Sequence, residues 1–326
     1  AMQHGMQRDH TQCRLQLTLY IYTHICQLCS LSSLNSQVKP PNSPPLFFFS
    51  MELVIIFDFD KTIIECDSDD WVVENFGLTQ LFTALLPTVP NNSLMDRMME
   101  ELHLQGNSVQ DITDCLKKIP LSPHILSATN SAYASGCDLR IVSDANMFFI
   151  ETVLRHHGIL HCFSEINTNS AVVNEEGRLQ ILPYHDYISS SHGCNLCPPN
   201  LCKGLVMERI RASSSASQFI YVGDGKNDYC PSLMLAAKDC VMPRKNFELW
   251  NSISSNPTLM KAGIQEWNSG EELEMALTNL IRRNCENCKD SQKNLFSKEF
   301  LAPDCKSQPS PIAPSGFIKK AVQVPH

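Results

Sequence analysis

The stretch Val54-Ile55-Ile56-Phe57-Asp58-Phe59-Asp60-Lys61-Thr62 limits what this chain can fold into more than any other. Its run of consecutive apolar residues, rich in β-branched side chains, reads as a short strand buried on both faces. In open α/β sheets, ligands sit beyond the carboxyl ends of such strands. Here that end carries two carboxylates, Asp58 and Asp60, followed by Thr62. Two acids so close repel each other and need a cation or a substrate proton to coexist. Asp58 is therefore expected to be a nucleophile, with the rest of the chain arranged around it.

At 326 residues there is room for one large or two modest domains. A formal net charge of −8 argues against a nucleic-acid binder, which usually carries a basic patch. No apolar run reaches the about 20 residues needed to span a bilayer, so no membrane role is expected. The 15 cysteines are odd in number and scattered, with free-standing members at Cys66, Cys115, Cys137, Cys162, Cys230 and Cys240. Without a clear signal peptide, most of them read as reduced thiols of a cytoplasmic protein.

Residues 1–50 read as a disordered N-terminal extension. Leu15 to Leu34 is broken by polar residues, and Pro40 to Pro45 forms a stiff linker before Met51. The bare pair Cys26 and Cys29 is given no redox or metal role. From Asp67 to Gly136 the pattern is helical. Helix starts are expected at Ser93 with Asp96, at Ser108 with Asp111, and at Ser122-Pro123. Met95, Met98 and Met99 read as core packing. Strand signals resume at Leu139–Val142, followed by a helix ending at Gly158. A hairpin follows around Asn174–Gly177, then strands at Gln218–Val222 and Cys240–Met242. The expected fold is α/β: a doubly wound, mainly parallel sheet from 51–66 and 137–284, with an α-helical cap, 67–136, inserted after the first strand. Periodicity fades beyond about Arg283, so 285–326, including Cys285 and Cys288, is expected to be a flexible tail.

Chemistry-bearing residues recur at the strand ends in one order. Asp58 supplies a carboxylate that can form an aspartyl-phosphate. Asp60 can protonate the leaving oxygen and later activate water. Ser143 and Lys203 can bind an anion through a hydroxyl and an ammonium, and Thr62 either joins them or orients Asp58. Asp224, with Asp58 and the backbone carbonyl of Asp60, completes an oxygen-rich Mg²⁺ site. Asp228 and Asn227 are expected to orient these groups.

These motifs resemble those of the haloacid dehalogenase-type phosphatases. Ile56 to Thr62 looks like the first motif, Ile141 to Asp144 the second, Lys203 the third and Gly223 to Asp228 the fourth. The resemblance covers about Met51 to Asn284 and implies a Rossmann-like core. A narrower likeness, to the phosphoethanolamine/phosphocholine phosphatase branch, is carried by Cys66–Val73, Tyr184–Asp186, Cys197–Gly204 and Met242–Phe247. That branch has plant members described as inorganic pyrophosphatases and thiamine phosphate phosphatase-like proteins. The implied substrate is a small soluble phosphomonoester, of phosphoethanolamine, phosphocholine or thiamine monophosphate type, or pyrophosphate.

The acids and serine of Asp67-Ser68-Asp69-Asp70 can cap a helix, and carboxylates such as Asp67 and Asp69 beside the Trp71 indole can hold an ammonium head group. Cys194, Cys197 and Cys202, with His192 nearby, offer soft ligands to zinc, against the preferred reading of a packed loop with reduced thiols. Two readings of other classes stand beside the phosphatase: a catalytically silent phospho-ligand binder and a zinc-stabilised interaction module.

Overall fold

In the computed structural model, which describes residues 53–299 with side chains as far as residue 286, the apolar run forms strand β1 (Leu53–Phe57). Its buried side chains divide by parity. Leu53, Ile55 and Phe57 enter one apolar cluster, and Val54 and Ile56 enter a second. This is the period-two pattern of a strand covered on both faces. Each such side chain contributes about 1.5–3 kcal/mol relative to exposure, so a charge anywhere in β1 would be costly.

Helices α1 (Ser68–Asn75), α2 (Thr79–Leu85), α3 (Asn91–Leu104), α4 (Val109–Leu116) and α5 (Pro123–Ala134) follow. Then come β2 (Asp138–Asn146), α6 (Met147–His156) and the hairpin of β3 (Phe163–Val173) and β4 (Leu179–Leu182). The remaining elements are α7 (Lys203–Ser213), β5 (Gln218–Gly223), the short α8 (Tyr229–Ser232), β6 (Cys240–Pro243), α9 (Glu248–Ser255), β7 (Gly263–Ile264) and α10 (Gly270–Glu299). The sheet order is β4-β3-β2-β1-β5-β6-β7. All pairings are parallel except β3 with β4. The chain winds outward from β1 on one side and then on the other, so the fold is the doubly wound α/β sheet expected. The order switches at β1, where such sheets open a crevice.

Two helix starts follow the sequence. Ser108 and Asp111 form a reciprocal capping box, and Pro123 opens α5 behind Ser122. The third does not: α3 begins at Asn91, two residues before Ser93. The Ser93 hydroxyl instead meets the Tyr187 hydroxyl at 2.5 Å, and the Asp96 carboxylate accepts from Ile181 N at 2.9 Å. Both side chains serve the β3–β4 side of the molecule rather than their own helix. Met95, Met98 and Met99 are buried as expected.

The helical block shares its core with the sheet. Phe57 of β1 and Val72, Met98, Leu116 and Ala132 of the block lie in one cluster, which also takes Leu273 and Leu277 of α10. The C-terminal boundary also differs from expectation. Helix α10 continues to Glu299, past Arg283, although apolar periodicity fades there. Arg282 and Glu286 pair at i,i+4 across 3.7 Å, and Lys, Glu and Gln recur among the residues after Arg283. The expected extension 1–50 with Cys26 and Cys29, and the tail beyond Glu299, lie outside the described residues. No helix among the described residues is long and apolar enough to cross a membrane.

Candidate active site

Parallel pairing sets Phe57 opposite Val222, and Asp58 N–H extends that ladder by donating to Val222 O at 2.9 Å. Asp58 and Asp224 therefore leave two adjacent strands at neighbouring points. Carboxylate oxygens of Asp58, Asp224 and Asp228 all lie within 4.8 Å of one another. Burial, reinforced by Asp228 and Asp224, pushes the Asp58 carboxyl well above its ordinary range. Asp224 is pushed up to about 7, again chiefly by burial and then by Asp228.

Lys203, the first residue of α7, is completely buried, and its ammonium stands 3.0 Å from Asp58 Oδ1 and 2.8 Å from Asp228 Oδ1. Asp228 is saturated. Its Oδ1 also accepts from Tyr221 Oη at 2.7 Å, and its Oδ2 accepts from the N–H groups of Asp224 at 3.0 Å and Gly225 at 2.9 Å. A Cβ on Gly223 would lie 2.5 Å from Asp228 Oδ2, so this fold-back needs glycine there. With four donors on two oxygens, Asp228 orients its neighbours and has little left for a metal. Both bonds to Asp58, from Lys203 and from Phe59 N at 2.7 Å, fall on Oδ1. Asp58 and Asp224 thus offer hard oxygen donors in a crowded anionic corner, a set that fits a cation such as Mg²⁺.

The Asp60 carboxylate accepts from Ser68 N at 2.8 Å. Burial first, then Asp67, Asp69 and Asp58, raise it well above the ordinary range. Lys61, directly after Asp60, takes a positive φ of 55°, a strained conformation for a side-chain-bearing residue. Arg244 donates to Lys61 O and to Glu65 while its guanidinium lies 4.7 Å over the Phe247 ring. It clamps the loop that carries both acids.

A cavity of about 530 Å³ opens over these groups, lined by seven carboxylates and two lysines. Asp58, Asp60, Asp67, Asp69, Ser143, Asp224 and Asn227 of the expected set border it. Asp67 also caps α1, accepting from Asp69 N at 3.1 Å and Asp70 N at 3.2 Å. Asp69 Oδ2 accepts from Asn91 at 3.2 Å, while its buried Oδ1 has no partner.

Two expectations need correction. Thr62 does not border the cavity; its hydroxyl donates to Asp224 Oδ1 at 3.2 Å, so it steadies that carboxylate. Ser143 faces the cavity from β2, which runs on to Asn146, whose side chain caps the next helix. Trp71 is absent from the cavity wall. It packs against the apolar cluster and its indole N–H donates to Cys115 O at 3.2 Å. Two positions along a helix turn the side chain about 200° away from Asp69.

Lys203 lies behind Asp58 rather than on the cavity wall. Cys194, Cys197 and Cys202 come together, and Cys230 joins them in place of His192, which contacts Pro198 O at 2.9 Å. Sequence reasoning missed Tyr221, Asn91 and Glu248, which carry no local signal. Arg244 and Asp144 appeared only inside quoted motifs, without roles. Asp144 borders the cavity and accepts from Asn227.

A family model described as "Putative Phosphatase" matches residues 53–281. Inorganic pyrophosphatase 2 of Arabidopsis thaliana is 50% identical over 279 residues, covering 84% of this chain and 96% of that protein. A thiamine phosphate phosphatase-like protein of the same plant is 56% identical over 234 residues, 71% of this chain and 96% of that one. Pyridoxal phosphate phosphatase PHOSPHO2 of Homo sapiens is 30% identical over 245 residues, covering 71% of this chain and all of its own length.

Proposed function

The chain belongs to the Putative Phosphatase family and is a phosphatase; from that premise we propose that it hydrolyses a small soluble phosphomonoester through a phospho-aspartate on Asp58. One observation carries the reading: Asp58 and Asp224 converge from adjacent strands, with the Lys203 ammonium 3.0 Å from Asp58.

In the first step an Asp58 carboxylate oxygen bonds to phosphorus as the bond to the ester oxygen breaks. Asp60, held protonated by burial and its acidic neighbours, gives its proton to the departing oxygen. In the second step Asp60, now ionised, takes a proton from water, whose oxygen bonds to phosphorus and frees Asp58 and inorganic phosphate. The Lys203 ammonium favours the ionised form of Asp58 and so opposes its burial, and the Ser143 hydroxyl is available to a phosphate oxygen in the cavity. Asp58, Asp224 and the Asp60 carbonyl would hold Mg²⁺, which when bound offsets the charge of two acids beside a phosphate. Arg244 holds Lys61, the residue after Asp60, in its strained turn.

The wall's excess of carboxylates, with Asp69 Oδ1 buried and unpartnered, favours a substrate that brings a cationic group of its own. The relatives bear names for different substrates, and the likeness to an inorganic pyrophosphatase over 84% of the chain supports pyrophosphate as the second reading. Purified protein assayed with Mg²⁺ on phosphoethanolamine, phosphocholine, thiamine monophosphate and pyrophosphate separates them. The first reading expects one of the amine esters to have the highest kcat/KM. Preference for pyrophosphate would replace it with the second, and no turnover of any phosphate compound would leave a silent phospho-ligand binder.

A further inference from the structure

Between β4, which ends at Leu182, and α7, which starts at Lys203, twenty residues run without a helix or strand. Loops of that length inside a compact domain are uncommon and need something to hold them. The ends of this one are anchored, by Tyr184 against an apolar cluster and by buried Leu201, but its middle is not: Ile188 is 88% exposed and Leu196 41%. It nevertheless supplies Asn195, Leu196, Cys197 and Pro198 to the wall of the active cavity.

What does converge there is sulfur. The Sγ atoms of Cys194, Cys197, Cys202 and Cys230 all lie within 4.8 Å of one another, and those of Cys194 and Cys230 are 3.7 Å apart. A disulfide would need about 2.05 Å. Four thiolates about 2.3 Å from a central zinc ion stand about 3.8 Å apart at the corners of a tetrahedron. The first two cysteines have the C-x-x-C spacing common in such sites. Leu196 N–H points at Cys194 Sγ across 3.4 Å. A donor aimed at sulfur offsets negative charge on a thiolate. Gly204 completes the fit, because a Cβ there would come within 2.5 Å of Cys230 Sγ.

We propose that Cys194, Cys197, Cys202 and Cys230 bind one structural zinc ion that pins the loop before α7 against the active site. All four positions are filled by protein sulfur, so the ion has no open place for a substrate and is structural. Its attachments are telling. Cys202 directly precedes Lys203, Cys230 lies two residues after Asp228, and Cys197 borders the cavity. The ion would tie the buried ammonium, its carboxylate partner and one wall of the substrate cavity into a single unit. Packing of neutral thiols is the simpler account for one buried cysteine. It does not explain four sulfurs gathered where two of the cysteines are only half-buried in an irregular loop.

The test reads metal content and is independent of any phosphatase assay. Full-length protein, purified under reducing conditions and washed with excess Mg²⁺, should retain about one zinc per chain. Exchange with Co²⁺ should give the absorption of a tetrahedral thiolate-bound ion. Cys194→Ser and Cys230→Ser should each lose the zinc, while Cys240→Ser, a buried thiol outside the cluster, should keep it. A wild-type protein with no zinc, or with iron in its place, overturns the proposal. So does zinc that Mg²⁺ displaces, which would belong to Asp58 and Asp224, or full zinc occupancy in a folded Cys230→Ser. Should the serine variants fail to fold, the wild-type stoichiometry and the Co²⁺ spectrum still decide.

Discussion

Lys203 Nζ lies 2.8 Å from Asp228 Oδ1, and neither side chain has any exposure to water. The same ammonium meets Asp58, so one buried cation answers two buried anions. Removing it leaves both carboxylates without a counter-charge. Breaking a buried pair from one side typically costs about 3–5 kcal/mol. Lys203→Met should therefore lower unfolding stability by about that amount as well as abolish turnover, as urea titration would read. Mg²⁺ should recover part of the stability and none of the activity. An unchanged urea midpoint would mean the pair is not holding the site together.

Asp58→Asn keeps the shape of the residue and removes its charge. It should cut kcat by about four orders of magnitude or more, since nothing else in the cavity is placed to take over as nucleophile. Ligand binding should survive, because the change relieves repulsion among Asp58, Asp224 and Asp228. Calorimetric titration with inorganic phosphate measures the second half of that statement. Mg²⁺-dependent turnover near the wild-type rate would rule Asp58 out as the attacking group.

The acid cluster also sets a pH dependence. Asp224 sits at about 7 in the metal-free protein, above its ordinary 3.8, and Asp58 is raised in the same direction. A carboxyl raised on folding binds more protons in the folded state. Metal-free protein should therefore lose stability as pH rises from about 4 to about 7 on account of these groups. Mg²⁺ needs the ionised forms, so its affinity should fall as pH drops below about 7, by up to tenfold per unit for each proton displaced. Titration at pH 6 and pH 8 in buffers of different ionisation enthalpy reads both the affinity and the proton release. A pH-independent affinity would contradict the raised carboxyls.

Asp69 borders the cavity, and its Oδ1 is buried without a hydrogen-bond partner. If it meets a cationic head group, Asp69→Ala should reduce kcat/KM for amine-bearing esters by about 10- to 100-fold, the scale of a charge-assisted hydrogen bond. Pyrophosphate hydrolysis should change far less. Equal losses on both substrates would remove Asp69 from head-group recognition and return it to a packing role.

Much of this was legible in the sequence, and what was not shares one cause. Asp58, Asp60 and Asp224 stand at the ends of apolar runs, and a run of five or six residues carries its own signature. The Ser108–Asp111 box is equally local. Tyr221 looks like any aromatic in a buried strand, and only its contact with Asp228 gives its hydroxyl a purpose. Cys230 stands far along the chain from Cys194, so its place among the sulfurs depends on how α7 packs against α8. Thr62 and Trp71 were placed on the right turn and the right helix, but the direction of each side chain is set by tertiary partners. Helix α10 outran its apolar pattern because main-chain helical hydrogen bonding, aided by the Arg282–Glu286 pair, needs no apolar stripe.

The ladder that aligns Phe57 with Val222 has a consequence for how this protein can change. The spacing between Asp58 and Asp224 is dictated by main-chain pairing in the middle of the sheet, where a slip of one residue would turn every neighbouring side chain to the wrong face. The wall that greets the rest of the substrate comes from Asp67, Asp69, Asn91 and the loop around Cys197. Substitutions there can swap one leaving group for another without retuning the distance between the reacting acids. A single bond-breaking apparatus can in this way be shared among relatives with unlike preferred substrates.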